Sequence, residues 1–328
     1  MILIFTNKED VHSNLVIEKL NDWKKPVFRL NTEALLTDYQ FCWWADANGC
    51  DFWIRCVQNG LEVRGSEITA IWDRRPIIPS ELLLKNNEQI DKHNLTEASG
   101  FLSFLRYYLK DIPSIGSIVN DRIAASKMLQ YKVALEIGFD IPHTCFSNQK
   151  EPFVKMAEKH DELLLKAIEN NDVWDDESGL DYVFYAPKVP SDSVLQVPNA
   201  AFTQTVTFAQ NYVEKEFELR VTIVDDEVFA CRIDSQLQEE NHGKIDWRQG
   251  YDYGLRHSIF ELPKEISEKC ILFLRKMGLR FGCFDFILTP GGQYVFLECN
   301  PNGQWLWIEI ETGMSISTAI AKSLISQK

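Results

Sequence analysis

The stretch FDFILTPGGQYVFLECNPNGQW, residues 284–305, carries the strongest structural signal in this chain. Two apolar, strand-like runs flank a Pro-Gly-Gly turn, which predicts a β-hairpin. Asp285 lies in the first run, and Glu298 and Asn300 end the second. Because strand side chains alternate between faces, Glu298 and Asn300 share one face, and the hairpin returns Asp285 to their side.

Three oxygen-bearing side chains on one patch suit Mg²⁺, which prefers hard oxygen ligands and keeps water or nucleotide phosphate in the rest of its shell. The alternative is an ordinary hairpin whose acidic side chains face solvent. The apolar neighbours of the two carboxylates favour the metal site. We therefore predict that Asp285, Glu298 and Asn300 bind magnesium.

Length and composition restrict the class of protein. The 328 residues suffice for two or three domains, and no apolar run is long enough to cross a bilayer. The first residues do not resemble a signal peptide. A net charge of −14 argues against binding to nucleic acid. The eight cysteines are dispersed without zinc-type spacing, which is typical of a cytoplasmic protein with reduced thiols.

Apolar runs and turn residues predict a chain of mixed α/β and α+β class with three domains. Residues 1–116 alternate strands and helices and end in a Pro-Ser-Ile-Gly linker at 113–116. A central domain is expected at 117–190. Residues 191–328 hold further strands, the hairpin described above and a last helix.

Two lysines could hold the phosphates of one nucleotide. Lys166 ends the apolar strand 162–166, where an ammonium group either reaches water or meets an anion. Lys127 lies on a predicted helix at 121–137 whose apolar face carries Ala, Leu and Met. Each lysine alone is an ordinary feature, but the two together can grip phosphate from different elements.

A candidate adenine site and a charged strand follow. Adenine is commonly recognised by backbone groups at a hinge between apolar walls. The residues in that position here are Gln210, Asn211, Tyr212 and Val213. Glu218 and Arg220 come next at i and i+2 and share a face, so the carboxylate could accept from ribose and the guanidinium could hold a phosphate. The alternative is a cross-strand ion pair, worth at most about 1 kcal/mol when it is exposed.

Two more arginines are candidates for stabilising charge on a transferred phosphate. Arg232 lies in the strand VFACRIDSQ, and Arg248 lies in the loop IDWRQG. A general base is not obvious. His242 and Asp246 are possible, although a single loop histidine usually has no catalytic role.

The order of these features resembles the ATP-grasp carboxylate–amine/thiol/alcohol ligases from about residue 120 to the C-terminus. FELRVTIVDDEVFACRIDSQ and MGLRFGCFDFILTPGGQYVFLECNPNGQW are similar to the glutamate-adding branch of that superfamily. WDRRP at 72–76 and FAQNYVEKEFELRV are similar to the graspetide synthetases of the microviridin type, which macrocyclise ribosomal peptides. One departure is the acidic segment NNDVWDDESG, which stands where a glycine-rich phosphate loop would be expected.

The resemblance implies an ATP-grasp fold with ATP between two α+β lobes, and ATP and Mg²⁺ as cofactors. An Asp or Glu side chain of the peptide would become an acyl phosphate, and a Ser or Thr hydroxyl or a Lys amine would then displace phosphate to close an omega-ester or omega-amide ring. The positions that match the family's motifs are Lys127 and Lys166 for phosphate, Gln210 to Val213 for adenine, Glu218 for ribose, Asp285, Glu298 and Asn300 for magnesium, and Arg220, Arg232 and Arg248 for the acyl phosphate.

The implied partner is a ribosomal precursor peptide with a leader and an acidic core that contains Thr or Ser. Arg74 and Arg75 could contact that core, serve a dimer interface or form an internal salt bridge. In the segment 185–199, Asp192 could pair with a leader arginine while Val194 and Leu195 line an apolar groove. The alternative is a hairpin and helix that pack internally.

Two other functions stay open at this point. One is a glutamate or amino-acid ligase of the same superfamily that joins separate molecules. The other is a non-catalytic ATP-grasp scaffold that binds a peptide. The complete set of predicted metal ligands and arginines argues against this second function. A homodimer is expected from the resemblance, and neither nucleic acid nor a membrane is expected as a partner.

Overall fold

The computed structural model describes residues 1–77, 88–169, 172–175, 180–183, 186–237 and 243–326. Its strands, numbered in chain order, are β1 (Ile2–Thr6), β2 (Val27–Asn31), β3 (Tyr39–Asp46), β4 (Gly49–Cys56), β5 (Glu62–Arg64), β6 (Ala70–Asp73), β7 (Ser114–Ile115), β8 (Thr144–Ser147), β9 (Glu162–Lys166), β10 (Asp172–Asp175), β11 (Leu180–Val183), β12 (Lys188–Pro190), β13 (Thr207–Asn211), β14 (Phe217–Val224), β15 (Glu227–Ile233), β16 (His257–Ile259), β17 (Phe281–Leu288) and β18 (Tyr294–Asn300). Its α-helices are α1 (Val11–Asp22), α2 (Glu88–Tyr108), α3 (Ile118–Ala124), α4 (Lys127–Ile137), α5 (Glu151–Ala157), α6 (Ser193–Gln196), α7 (Asn199–Phe202), α8 (Lys264–Lys276), α9 (Leu306–Thr312) and α10 (Ile316–Ser326).

The N-terminal segment is built on a parallel sheet of strand order β2-β1-β6-β7. Every residue of β1 is buried, as is typical of a parallel strand covered on both faces. The antiparallel meander β3-β4-β5 and helix α2 enclose one side of this sheet. Residues 113–116 were predicted to be a linker, but Ser114 and Ile115 form strand β7 at the edge of this sheet.

The central segment carries an antiparallel sheet of order β12-β9-β13-β8, packed on α5. Strand β13 pairs with both β9 and β8, although it lies beyond the boundary expected at residue 190. The central sheet therefore includes a strand from beyond residue 190. Strands β10 and β11, which follow β9 in the chain, pair with each other in antiparallel fashion.

The C-terminal segment is organised by an antiparallel sheet of order β16-β15-β14-β17-β18. Strand β14 is buried along its whole length. One face of the sheet packs on α4 and α8 through an apolar cluster that includes Leu219, Val221, Phe284 and Phe286. The residues that alternate with these side chains are therefore directed to the opposite face, where the candidate site lies.

The N-terminal and C-terminal segments share one apolar core. Ile2, Ile4 and Trp72 of the parallel sheet pack in the same cluster as Trp305 and the apolar residues of α9 and α10. The parallel sheet is therefore joined to the segment that carries the candidate site.

The single helix predicted at 121–137 is two helices. Helix α3 ends at Ala124, and Ser126 caps α4, its hydroxyl oxygen accepting from the backbone N–H of Leu129 at 3.5 Å. Serine at this position competes for backbone hydrogen bonds and favours a helix start over a helix interior. The break makes Lys127 the first residue of α4, at the edge of the candidate site.

No helix within the described residues combines the length and the apolarity that a membrane span requires.

Candidate active site

A cleft of about 690 Å³ lies between the central sheet and the C-terminal sheet. Lys166 and Gln210 line it from the central side, and Arg220 and Asp285 line it from the C-terminal side. The first turn of α1 and Arg75 complete one wall. Three segments that are distant in sequence therefore contribute to one cavity.

The hairpin β17-β18 brings the three predicted metal ligands into this cleft. Asp285 pairs directly with Glu298, and Cys283 pairs with Asn300. A β-bulge follows Asp285, and it keeps Phe286 and Phe296 together on the core face. The side chains of Asp285, Glu298 and Asn300 all line the cavity.

Both carboxylates of this trio are paired with cations. Arg220 donates to both oxygens of Asp285, at 2.9 and 2.7 Å, and the ammonium of Lys127 lies 2.7 Å from Glu298 Oε2. Burial raises the pKa of Glu298, but Lys127 and Lys166 outweigh it and lower that pKa to about 2. Glu298 is therefore ionised at any physiological pH.

The donor set is chemically suited to a hard divalent cation. Two carboxylates and an amide oxygen are the ligand types that Mg²⁺ prefers, and water or phosphate oxygens would complete its octahedral shell. Among the described residues, no group of three or more His, Cys, Asp or Glu side chains is arranged as a metal site. The predicted set contains only two such side chains, because its third member is an asparagine.

Lys166 lies in the cleft, where the prediction needs a phosphate-binding group. Its ammonium donates to Gln210 Oε1 at 3.2 Å and lies 5.9 Å from the ring centroid of Phe208. Burial lowers the pKa of Lys166, while Glu298 raises it. Lys127 does not itself line the cavity but reaches its edge through Glu298.

The four hinge residues all line the cleft, but much of their hydrogen-bonding capacity is used inside the protein. The backbone N–H of Asn211 donates to His143 O at 3.1 Å, and that of Tyr212 donates to Glu162 O at 2.9 Å. The side-chain amide of Gln210 donates to Tyr131 and Thr144, each at 3.0 Å. The backbone N–H groups of Asn211 and Tyr212 therefore already have acceptors inside the protein.

Glu218 faces the cleft from a buried position, with 4% of its surface exposed. Lys215 and the hydroxyl of Ser235 both donate to its carboxylate. Burial raises the pKa of Glu218, and Lys215 opposes that effect. The alternative for this strand, a cross-strand ion pair, is present for Arg220, which pairs with Asp285 on the neighbouring strand β17, but this pair is largely removed from solvent.

Arg248 lies at the mouth of the cleft in a bidentate ion pair with Asp246. Its Nε and Nη2 atoms lie 2.8 and 2.5 Å from the two carboxylate oxygens. Asp246 is thereby committed to an arginine, which argues against its use as a general base. The other candidate base, His242, lies outside the described residues.

Arg232 is not part of this constellation. It stands opposite Leu219 in the strand register and therefore on the core face of the sheet, not on the face of Arg220. Its guanidinium lies 3.9 Å from the ring centroid of Phe217 and pairs with Asp234 at 2.6 Å. The predicted role of Arg232 near the acyl phosphate is therefore corrected, because strand alternation turns it away from the cleft.

The two arginines of WDRRP have different positions. Arg74 is 1% exposed, and its Nη1 donates to the carbonyls of Asn302 and Gly303 at 2.9 and 3.0 Å. Arg74 was predicted to contact the core peptide, to serve a dimer interface or to form an internal salt bridge. Its observed contacts are internal. Arg75 has φ of 50° and lines the cleft, so it is the arginine of the pair that can meet a ligand.

The predicted leader-docking residues form only part of a surface. Val194 is 7% exposed and packs in the core of the central segment with Phe153 and Leu163. The prediction that Val194 lines a docking groove is therefore corrected, because its side chain is buried in this core. Asp192 and Leu195 are exposed on either side of it.

Several cleft residues were missed in the sequence. Lys215 was not predicted as a site residue, although its position three residues before Glu218 would have indicated that the two side chains could pair. His12 begins an ordinary amphipathic helix, and Trp307 follows the hairpin as one of several tryptophans. No local pattern distinguishes the last two, since only the packing of α1 and α9 brings them to the cleft.

No family model matches the chain, and no curated protein is similar to it. Among solved structures it is similar to a RiPP-associated ATP-grasp ligase of Chryseobacterium gregarium, in complex with ADP and a leader and core peptide, with 24% identity, a TM-score of 0.87 and coverage of 100% of this chain and 97% of the other. It is also similar to the macrocyclase MdnC of Microcystis aeruginosa MRC bound with the precursor peptide MdnA, with 25% identity, a TM-score of 0.84 and 99% coverage of both chains. The macrocyclase MdnB of the same organism has 24% identity and a TM-score of 0.77, over 99% of this chain and 98% of that one. The fold is thus the ATP-grasp fold over the whole chain.

Proposed function

We propose that this chain, which has the fold of the ATP-grasp ligases, is an ADP-forming ligase that closes macrocycles in a ribosomal precursor peptide. The observation that carries the proposal is the cleft that combines Lys166, Arg220 and Arg248 with the oxygen ligands of the hairpin. Cations and hard oxygen ligands around one cavity of this size suit a magnesium-bound nucleotide and an acidic acceptor. The similar solved structures include complexes with ADP and with precursor peptides, which supports the same substrate classes here.

The nucleotide would occupy the cleft with its base at the hinge and its phosphates near Lys166 and Lys127. Val213 and Glu218 both line the cleft, so Val213 would supply an apolar wall and backbone groups for the base, and Glu218 would accept from a ribose hydroxyl. Asp285, Glu298 and Asn300 would hold Mg²⁺. Bound Mg²⁺ would neutralise the charge on the phosphoryl group that is transferred.

Arg220 and Arg248 would hold the peptide carboxylate and the phosphate that it acquires. Arg220 and Arg248 line the cleft from the C-terminal segment, and Arg75 lines it from the N-terminal segment. The reaction needs little covalent participation from the protein, because phosphoryl transfer depends mainly on positioning and on charge neutralisation. A hydroxyl or amine of the same peptide then attacks the activated carbonyl, and inorganic phosphate leaves.

We further propose that Asp192 and Leu195 belong to the surface that docks the leader. Leu195 is 58% exposed beside the acidic side chain of Asp192, a combination suited to an amphipathic basic helix. Lys150 donates to the carbonyls of Leu195 and Val197, each at 2.8 Å, and so holds this segment against α5. Loss of leader affinity in Asp192→Lys, measured by fluorescence anisotropy, would be the expected result, and unchanged affinity would contradict the proposal.

A homodimer and a cytoplasmic location are proposed as well. Trp43, Phe104 and Tyr107 expose 46%, 73% and 46% of their surfaces on β3 and α2, an aromatic face that a second copy could cover. Sedimentation of the wild type as a monomer at micromolar concentration would argue against the dimer. All eight cysteines are free thiols, which suits a reducing compartment.

The proposal is tested by incubating the protein with ATP, Mg²⁺ and a short acidic peptide that contains Thr or Ser, chosen from any open reading frame found beside its gene. The expected product has lost one water per ring, and ADP accumulates in step with it. Stimulation of ADP release by free amino acids alone would instead favour a ligase that joins separate molecules. Mild alkali, which opens esters faster than amides, would identify the bond.

Substitutions in the hairpin test the metal assignment. Asp285→Asn and Glu298→Gln keep the shape of each side chain but remove its charge, so ADP formation should fall by at least about 100-fold. Glu227→Gln, at an exposed position on β15, is the matched control and should retain wild-type turnover. Wild-type rates in either hairpin variant would refute the magnesium site.

A further inference from the structure

The loop that follows the hairpin, residues 301–305, is held mainly from the N-terminal segment. Arg74 Nη1 donates to Asn302 O at 2.9 Å, to Asn302 Oδ1 at 3.1 Å and to Gly303 O at 3.0 Å. The side-chain amide of Asn302 donates in return to Asp73 O at 3.1 Å. Residues more than two hundred positions apart are thus joined by four hydrogen bonds.

The same loop orients two groups of the cleft. The backbone N–H of Asn302 donates to the side-chain oxygen of Asn300 at 2.9 Å, which fixes the direction of that amide. Gln304 O accepts from Arg220 Nη2 at 3.2 Å. One end of the loop therefore sets a proposed metal ligand, and the other end sets the arginine that pairs with Asp285.

Packing leaves this loop no freedom to find another position. Gly303 is so close to its neighbours that an added Cβ would lie 2.5 Å from the Cβ of Cys283 and 3.0 Å from Arg220 Nη2. Trp305 is fully buried and lies edge-on to the ring of His12, with centroids 4.9 Å apart. A displacement of the Arg74 side chain would therefore move the loop and, through it, the side chains of Asn300 and Arg220.

Arg74 is buried at a cost that calls for an explanation. Burial lowers its pKa to about 10, even though Asp10 lies 3.7 Å from its Nε and raises it. Its Nε and Nη2 atoms are buried without a hydrogen-bond partner among the described residues. A buried guanidinium has five N–H donors, and one that served only to join two segments would be expected to satisfy most of them. The side-chain hydrogen bonds of Arg74 are instead concentrated on residues 302 and 303.

We propose that Arg74 is a positioning residue for the magnesium site, through which the N-terminal segment sets the geometry of Asn300 and Arg220. The inference rests on the proposed function, because it takes Asn300 as a ligand of Mg²⁺. Outer residues that orient metal ligands typically change metal affinity by about 10- to 100-fold when they are replaced. Lysine at this position keeps the charge near Asp10, but its side chain is shorter than that of arginine, so its ammonium group cannot occupy the Nη1 position from which Arg74 bonds residues 302 and 303.

The experiment measures ADP affinity by calorimetry, with saturating Mg²⁺ and with EDTA, for the wild type and for Arg74→Lys. In the wild type Mg²⁺ should strengthen ADP binding. In Arg74→Lys that enhancement should fall by about tenfold, while the affinity in EDTA stays unchanged because base and ribose contacts are intact.

The matched control is Arg280→Lys. Arg280 makes a bidentate ion pair with Asp225, at 2.7 and 3.0 Å, and donates to Ser323 Oγ, but these contacts are remote from the loop. This variant should keep the full Mg²⁺ enhancement. If Arg74→Lys does not fold, as judged by circular dichroism, Asn302→Ala replaces it and should lose enhancement in the same direction.

An unchanged enhancement in Arg74→Lys, or an equal loss in Arg280→Lys, would overturn the positioning role while leaving the proposed function intact. If ADP bound the wild type without any dependence on Mg²⁺, the proposed function and this inference would both fail. The two failures are therefore distinguishable in a single set of titrations.

Discussion

Buried charges at the cleft occur as pairs, and the pairing decides what each residue can do. Lys215 and Glu218 expose 6% and 4% of their surfaces, and the ammonium of Lys215 also donates to Ile245 O at 2.9 Å. Taking both groups out of water is costly, so their mutual attraction mainly offsets desolvation. Removal of one partner leaves the other as an uncompensated buried charge.

The Lys215→Met variant should therefore lose about 3–5 kcal/mol of unfolding free energy, measured by urea titration. Lys215→Met/Glu218→Gln should recover part of the loss, since the buried carboxylate is gone. Lys155→Met is the control, because Lys155 and Glu151 form an exposed, solvent-screened pair whose loss should leave the unfolding free energy close to that of the wild type. Equal effects of Lys215→Met and Lys155→Met would contradict the buried-pair interpretation.

Asp121 is a second residue whose environment yields a prediction. Burial, and then the neighbouring Asp73, raise its pKa from 3.8 to about 8. The folded state therefore keeps a proton that the unfolded chain releases above its ordinary pKa. Because the folded state binds more protons in this window, the group makes stability fall as pH rises from about 4 to about 8.

We expect Asp121→Asn to remove that pH dependence. The unfolding free energy of the variant minus that of the wild type should rise between pH 4 and pH 8, by at most about 1.4 kcal/mol per pH unit. Denaturant titrations at a series of pH values measure it, with Asp226→Asn at the surface as control. A difference that stays constant with pH would show that Asp121 is ionised throughout.

Among the elements, the hairpin β17-β18 and the loop after it combine two functions. The strands face the core with Phe284, Phe286 and Phe296 and face the cleft with Asp285 and Glu298. The loop then turns sharply into α9, and Gly303 packs where no side chain fits. The element is therefore a rigid support for the site and leaves little room for variation.

Gly303→Ala should be poorly tolerated. Its Cβ would lie 2.5 Å from the Cβ of Cys283, and overpacking of this kind costs about 1–3 kcal/mol. Gly291→Ala is the control in the hairpin turn, where the closest atom would be 3.7 Å away, and its effect should stay within about 0.5 kcal/mol. Thermal unfolding of both variants measures the difference, and comparable stability of the two would refute the close packing.

For the molecule as a whole, the shared core of the first and last segments is the dominant feature. Ile320 is fully buried in the cluster that also holds Ile2, Ile4 and Trp72. Phe153 belongs instead to the separate cluster of the central segment. Stability should therefore be coupled between the two ends of the chain and partly independent in the middle.

Hydrogen exchange can test this coupling. Ile320→Ala should cost about 2–5 kcal/mol and speed exchange in both β1 and β17. Phe153→Ala should cost about 3–5 kcal/mol but speed exchange mainly in β9 and β13. If β1 kept wild-type protection in Ile320→Ala while β17 opened, the N-terminal sheet would be an independent unit.

The sequence alone was enough for features that depend on local geometry. Strand alternation and the Pro-Gly-Gly turn predicted that Asp285, Glu298 and Asn300 share one side of a hairpin, and the register agrees. The i, i+2 spacing likewise predicted that Glu218 and Arg220 share a face, and both line the cleft. The mixed α and β class and the resemblance to ATP-grasp ligases are confirmed by the fold.

Only the tertiary structure decided which charges meet. Arg74 and Arg75 are adjacent and chemically identical, yet one is buried against residues 302–303 and the other lines the cleft. Arg232 and Arg220 both lie in apolar strand segments of the sequence, but their side chains are on opposite faces of the same sheet. Such outcomes depend on strand register and on packing between segments far apart in the chain, where burial and desolvation, which no local pattern encodes, select the partner of each charge.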